Sequence, residues 1–178
     1  MWISSMTKPF ILSIIGDDKP GLVDAIASSV AANGGNWQTS QLTHLAGKFA
    51  GIVLISLPTE QADALAEQLK ALSSTGLSVR VSPAESSGVP STKASLSVIG
   101  PDRPGIVREI SQAFSRRDIN VLKLNSDIVP APMTNEPLFQ ASIAISFSPE
   151  QDRLELEAAL DLIAEDMTVD IDIDYCED

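Results

Sequence analysis

The chain has 178 residues, of which 44% are hydrophobic and 20% are charged, a composition typical of a globular protein with one large or two small domains. Its net charge of −12, from 12 basic and 24 acidic residues, argues against direct binding to nucleic acid, because such proteins neutralise phosphates with clustered Lys and Arg. The single cysteine, Cys176, excludes a disulfide framework and a cysteine-based metal site within one chain. A Ser-His-Asp triad would have to use the single histidine, His44, and no nucleophile-elbow motif accompanies it.

The sequence of the first half predicts a β-hairpin between two helices, with one further strand at each end. Phe10–Ile15 is a continuous apolar run, which predicts a central strand buried on both faces or nearly so. Pro20 suits the first turn of the helix that follows, and Gly34-Gly35 supplies its left-handed stop. Gly47-Lys48 predicts the hairpin turn, and Thr59 is the expected cap of the second helix. The predicted elements are strands 10–15, 36–45, 49–57 and 77–81, a helix from 20 to about 32 and a helix from 59 to about 72.

The second half predicts the same order of elements after a linker. Ser82–Lys93 has the Ser, Pro and Gly content of a linker, and we place the domain boundary near Gly88. Ser148–Gln151 predicts the start of the last helix. Val169–Tyr175 alternates strictly, which predicts one apolar face and one row of carboxylates in water. The predicted elements are strands 94–99, 120–129, 138–147 and 169–175, a helix from 104 to about 117, a longer hairpin loop at 130–137, and a last helix that packs through Leu154, Ala158, Leu162 and Ile163.

One motif occurs in both halves, 84 positions apart. Gly16–Val23 and Gly100–Val107 each follow an apolar run and open a helix. Aligned at that offset without gaps, Leu12–Trp37 and Leu96–Val121 share 10 of 26 residues, so the chain contains an internal repeat. Each half is therefore predicted to be a ferredoxin-like βαββαβ unit of the α+β class, an antiparallel sheet with two helices on one face. The predicted domains are residues 6–83 and 94–176 with a linker at 84–93, and the uncovered sheet face favours pairing of two halves or two chains.

The first helix of each half is expected to pack against the sheet through a wide apolar stripe. The inward residues are predicted to be Leu22, Val23, Ile26, Ala27, Val30 and Ala31 in the first half, and Ile106, Val107, Ile110, Ala113 and Phe114 in the second.

The repeated turn is a candidate site for an amino acid. A helix N-terminus presents unpaired N–H groups and the positive end of the helix dipole, which suit a carboxylate. An aspartate before the turn can pair with a ligand ammonium, and an asparagine on the next strand offers a donor and an acceptor. Asp also caps helices and Asn follows Gly-Gly turns, so a purely structural role stays open. The candidate ligand-binding residues are Asp18, Gly21, Leu22 and Asn36 in the first half and Asp102, Gly105, Ile106 and Asn120 in the second.

The motif Asp-x-(Lys/Arg)-Pro-Gly-(Leu/Ile)-Val, with Asn about 15 residues after the Gly inside βαββαβ, resembles the ACT domain. The resemblance covers nearly the whole chain, as two tandem copies. It implies a small regulatory module that often binds amino acids, usually at an interface between two such modules. It implies no cofactor, no metal and no catalytic residue.

A chain with two such domains and no catalytic domain most resembles the family of glycine cleavage system transcriptional repressors, through Asp18–Val23 and the segment from Asn36 to Pro58. That resemblance implies a homo-oligomeric, non-enzymatic regulator. It implies action on a DNA-binding transcriptional activator protein rather than on DNA, with glycine or another amino acid as the signal.

Two alternatives remain. One is a ligand-free dimerisation or docking module that regulates an enzyme of amino-acid metabolism. The other is an acyl-phosphate hydrolase on the same scaffold. The hydrolase has little support, because Lys19 and Arg103 are single cations and neither turn forms an Arg cradle for phosphate.

Charge and hydropathy also bear on partners and location. Residues 1–92 hold 5 basic and 7 acidic residues, whereas residues 93–178 hold 7 and 17. The acidic second half is either a solvated face or a docking surface for a basic partner. No apolar run approaches the roughly 20 residues that span a bilayer, and the start lacks the pattern of a signal peptide. We therefore expect a cytoplasmic protein without membrane contact.

Overall fold

The computed structural model describes residues 6–85, 92–148 and 153–175. The chain divides into two compact units, Met1–Ser87 and Gly88–Asp178, called unit 1 and unit 2 below. Both have the order β-α-β-β-α-β, with a four-stranded antiparallel sheet and two helices against one face. The predicted fold class, two ferredoxin-like α+β units in tandem, is confirmed.

Each unit places its strands in equivalent sheet positions. The main elements of unit 1 are β1 (Thr7–Asp17), α1 (Leu22–Ala32), β2 (Asn36–Leu45), β3 (Lys48–Pro58), α2 (Ala62–Ala71) and β4 (Leu77–Pro83). Those of unit 2 are β5 (Thr92–Pro101), α3 (Ile106–Ser115), β6 (Asn120–Pro130), β7 (Pro137–Phe147), α4 (Arg153–Met167) and β8 (Asp170–Tyr175). The sheet orders are β2-β3-β1-β4 and β6-β7-β5-β8, so the first strand of each unit is central.

Each unit has its own hydrophobic core between the sheet and the helices. In β1, Phe10, Leu12 and Ile14 are buried, whereas Ile15, on the other face of the strand, is 58% exposed. The expectation that this strand is buried on both faces is wrong, because the helices cover only one face of the sheet. In β8 the predicted alternation is confirmed, with the isoleucines packed against the core and the aspartates exposed.

The first helix of each unit begins later than its proline predicts. α1 and α3 each begin after a glycine N-cap, Gly21 or Gly105, with φ of 91° or 94°, so Pro20 precedes the helix. Val23 and Val107, expected to face inward, are 44% and 40% exposed. The row that packs against the sheet, with i, i+4, i+8 spacing, begins one residue before each valine. It consists of Leu22, Ile26 and Val30 in α1 and of Ile106, Ile110 and Phe114 in α3.

α4 packs through a different stripe from the one predicted. Leu154 and Leu162 are 72% and 64% exposed, Ala158 is also exposed, and only Ile163 is partly buried. The predicted stripe and the observed one both have helical spacing, and the observed one, through Leu156 and Leu160, faces the core. The predicted cap at Ser148–Gln151 lies mostly outside the described residues. The buried residues of α4 are Leu156, Ala159, Leu160 and Met167.

The turns of unit 1 are largely as predicted. Gly34 ends α1 in the left-handed region, with φ of 71°. The hairpin turn is Ala46-Gly47, one residue earlier than expected, with positive φ at both positions. Thr59 does not cap the second helix, because its hydroxyl donates to the Met6 carbonyl at 3.1 Å. It thus ties the end of β3 to the start of β1.

Within residues 6–85, 92–148 and 153–175, no helix is long and apolar enough to cross a membrane. The same part of the chain contains no group of three or more His, Cys, Asp or Glu side chains placed to hold a metal ion.

Candidate functional site

The turn between β1 and α1 lies beside the β2–β3 hairpin. β1 and β3 pair to their ends, with Asp17 opposite Lys48, so the hairpin returns to the start of the helix. The Asp18 N–H donates to the Gly47 carbonyl at 3.0 Å, and the Asp17 carboxylate pairs with the Lys48 ammonium. The hydrogen bond from Lys48, with its charge, holds the pKa of Asp17 below its ordinary value. Two strand ends therefore anchor the turn.

Gly21 leaves the start of α1 open. It is the N-cap, and no side chain caps the helix, so Asp18 does not have the structural role of a cap. The Gly21 carbonyl accepts the first helical hydrogen bond, from the Ala25 N–H at 2.9 Å. The space that a Cβ on Gly21 would occupy is empty to 4 Å, and the amides of a first helical turn have no intrahelical partner. A ligand carboxylate can therefore approach these amides.

A depression of about 250 Å³ lies over this turn. It is smaller than the roughly 300 Å³ at which pockets for drug-sized ligands begin, so it suits a small ligand. Its charged lining residues are Asp18, Lys19 and Asp24, and Val23 and Phe49 give it an apolar side. The Lys19 ammonium donates a hydrogen bond to the Thr75 carbonyl at 3.0 Å. Val23, which the prediction placed in the core, therefore lines this depression instead.

His44 is a neighbour of the site that sequence reasoning missed. Its Nε2 lies 3.8 Å from Asp18 Oδ2 and accepts a hydrogen bond from the Gly47 N–H at 3.2 Å. The Asp18 side chain stays 48% exposed, which leaves it accessible to a ligand ammonium. The strand register brings His44 close to the β1–α1 turn, because the β2–β3 hairpin ends beside Asp17. The sequence alone does not give this register.

The turn of unit 2 has the same backbone but different charges. Gly105 is the N-cap, and the Asp102 N–H donates to the Pro137 carbonyl at 3.1 Å. Arg103 donates two hydrogen bonds to Glu109, at 3.2 and 2.7 Å, and Glu109 Oε1 is 3.7 Å from the Cβ position of Gly105. This hydrogen bonding raises the pKa of Arg103 and lowers that of Glu109. An ion pair therefore lies at the helix start that is open in unit 1.

The structure does not bring the two asparagines to the turns of their own units. Asn36 lies at the level of Pro9, near the start of β1, whereas the turn follows Asp17 at its end. At about 3.3 Å per residue, these two levels are roughly 26 Å apart. Asn120 has the equivalent position in unit 2. Within one unit, the set of residues predicted to form one site is therefore split in two.

A larger depression, of about 390 Å³, lies on the helix side of unit 2 between α3 and α4. Its lining mixes charges of both signs, from Arg116, Arg117 and Asp166, with the exposed Leu162. None of the residues predicted to bind a ligand lines it, whereas Glu109, which pairs with Arg103 at the turn of unit 2, does.

Comparisons with known proteins cover both units. Residues 8–82 and residues 94–165 each match a family model described as the ACT domain. The chain is similar to the crystal structure of an unknown protein from Galdieria sulphuraria, with 26% identity and a TM-score of 0.86, covering 97% of this chain and 100% of that one. It shares its fold with a crystal structure described as a candidate glycine cleavage system transcriptional repressor, with 17% identity, a TM-score of 0.72, and coverage of 98% and 100%. No curated protein matches the chain.

Proposed function

The chain belongs to the ACT-domain family, with two such domains in tandem, and from that premise we propose that it is a non-enzymatic regulator that binds an amino acid at the β1–α1 turn. ACT domains are regulatory modules, so regulation is the general class of its function. The specific role that we propose is negative control of transcription of glycine cleavage genes, exerted through a DNA-binding partner protein. Glycine or another small amino acid is the proposed signal.

The observation that carries the proposal is the open helix start at Gly21 beside the accessible Asp18 carboxylate. The amides and the dipole of α1 favour a carboxylate, and Asp18 favours an ammonium. An α-amino acid carries both groups on one carbon, and the depression of about 250 Å³ is small enough to select a small one. The two halves of a zwitterion therefore have matching partners at this turn.

We propose that Asn36 contacts a ligand held by a different ACT domain. It lies roughly 26 Å along the sheet from the turn of its own unit, so it cannot reach a ligand there. The family resemblance implies binding at an interface between two modules. On this proposal, association and amino-acid binding are coupled, and each strengthens the other.

The protein alone should not bind promoter DNA. Its net charge is −12, and DNA binding at low salt depends on neutralised phosphates. We expect no shift of DNA in an electrophoretic mobility assay with the protein alone. The shift that the DNA-binding activator produces should change when the protein is added. A retarded band with the protein alone would contradict the proposed mode of action.

Asp18→Asn should weaken amino-acid binding about 10- to 100-fold, measured by calorimetry with glycine and a panel of other amino acids. The substitution keeps the size of the side chain but removes the charge that pairs with the ligand ammonium, and a hydrogen bond to a charged group contributes about 1.5–3 kcal/mol.

The matched control is Asp102→Asn in unit 2. Because the Arg103–Glu109 ion pair lies at that turn, we expect the control to bind like the unchanged protein. If the unchanged protein gives no heat with any amino acid, the sensing part of the proposal is refuted. If both variants lose the same affinity, the site is not confined to the turn of unit 1.

The same ion pair favours a second candidate function, a ligand-free docking module that regulates an enzyme of amino-acid metabolism. Arg103 and Glu109 pair with one another beside the start of α3, so a charged pair of the chain itself lies where a ligand would bind in unit 1. Calorimetry distinguishes the candidates, since a docking module retains its regulatory effect while binding no amino acid.

A further inference from the structure

The sheet face that the helices leave uncovered, here called the open face, is apolar at the centre of unit 1. It carries Ile11, Ile15, Ile52 and Leu54, which alternate with the buried residues of β1 and β3. Ile15 is 58% exposed and Ile52 is 48% exposed. Ile11 and Leu54 lie opposite one another in the ladder. These four side chains form an apolar patch on the two central strands.

Unit 2 serves as an internal control for this patch. The offset of 84 residues equates β1 with β5, and the two registers then equate β3 with β7. The fold is the same in both units, so it does not by itself require an apolar open face. Three of the four apolar patch positions carry Ser or Ala in unit 2, and the fourth keeps its isoleucine; the matched positions are Ile11 and Ser95, Ile52 and Ser142, Leu54 and Ala144, and Ile15 and Ile99.

We propose that the open face of unit 1 is a homodimer interface, on which a second copy of the chain packs its own unit 1. Exposed apolar patches mark interaction surfaces, and two sheets stack about 10 Å apart with their side chains interdigitated. Four strands make a face about 19 Å wide and about 25–35 Å long. A corrugated surface of this size approaches the roughly 800 Å² per partner of a standard interface.

Charge favours a second copy as the occupant. Residues 1–92 hold 5 basic and 7 acidic residues, against 7 and 17 in residues 93–178, so pairing through unit 1 uses the nearly neutral half of the chain. The rim of the patch carries both signs, from Arg80 on β4 and from the Asp17–Lys48 pair. A two-fold interface brings the same surface together twice, so it needs such a self-complementary rim. Unit 2 has Asp172 in the place of Arg80.

The test is the association of the full chain without added ligand, measured by sedimentation velocity over a range of concentrations. Ile52→Asp puts a charge at the centre of the patch, and Ile52→Ser introduces the residue that unit 2 carries there. Ser142→Asp is the matched control, since it puts the same charge at the equivalent position of unit 2. We expect the dimer dissociation constant to rise about 100-fold or more in Ile52→Asp and about 10-fold in Ile52→Ser, with the control unchanged.

Circular dichroism and thermal unfolding establish that each variant is folded, and Ile52→Ser decides the matter if Ile52→Asp is not. A chain that stays monomeric without substitution overturns the proposal, and so does a dimer that neither Ile52 variant weakens. An equal loss in Ser142→Asp also overturns it, because added charge alone would then explain the effect. No amino acid is added in this measurement, so failure of the chain to associate and failure to bind an amino acid are detected by separate experiments.

Discussion

Gly51→Ala should destabilise unit 1 by about 3 kcal/mol or more, because no side chain fits between β2 and β3 at this point. A Cβ on Gly51 would lie 2.0 Å from the Gln41 carbonyl oxygen and 2.8 Å from Leu42 Cα. Both are backbone atoms of the paired strand, so relief of the contact requires opening of the ladder. Since the hairpin also anchors the β1–α1 turn through Gly47, the candidate site should be disturbed as well.

The matched control is Gly47→Ala in the same hairpin. Gly47 also has a positive φ, of 77°, but the space for its Cβ is open to 4 Å, so only the backbone conformation costs free energy, about 1–2 kcal/mol. Urea unfolding followed by tryptophan fluorescence reports on unit 1, because Trp37 lies on β2 and the sequence of unit 2 contains no tryptophan. Similar free energies of unfolding for the two variants would contradict the steric argument.

The fold was predictable from the sequence because turn residues mark its elements. β2 runs from Asn36 to Leu45, as predicted, since Gly34-Gly35 precedes it and the hairpin turn follows it. The internal repeat supplied an independent check, because each element proposed in one half had to recur in the other. Agreement between local turn chemistry and the repeat is what made the topology accessible.

The faces of several elements were not predictable, because the choice depends on tertiary packing. The apolar run in β1 serves the core on one side and the open face on the other, so its composition could not show that Ile15 is exposed. α4 carries two apolar stripes with helical spacing, and only the packing of the helix selects the one through Leu156 and Leu160.

The candidate site was predictable only in part, for a related reason. The turn residues Asp18 and Gly21 are neighbours in sequence and stay neighbours in the fold. His44 comes near them only through the pairing of β1 with β3 and of β3 with β2, which spacing along the chain does not reveal. Asn36 lies at the far end of the same sheet by the same register, so its spacing from the turn was misleading. Strand register, and not motif spacing, decides which residues meet.

Phe114→Ala should destabilise unit 2 by about 3–5 kcal/mol, the range for removal of a buried aromatic ring. Phe114 is 2% exposed and is among the largest fully buried side chains of the chain. It lies on α3 within the core cluster of unit 2, on the helix that opens at Gly105. Its loss leaves a cavity where the helix packs on the sheet, and a packed core relaxes into such a cavity only partly.

Hydrogen exchange followed by mass spectrometry measures this effect separately in each unit. In Phe114→Ala, amides of β5 and β7 that exchange only when the core of unit 2 opens should exchange about 100-fold faster or more. Peptides from β1 and β3 report on unit 1 in the same sample and serve as the internal reference. Val107→Ala on the same helix is the matched control, because Val107 is 40% exposed and surface substitutions change stability by about 0.5 kcal/mol or less. If the two variants exchange alike, packing through Phe114 does not hold α3 to its sheet.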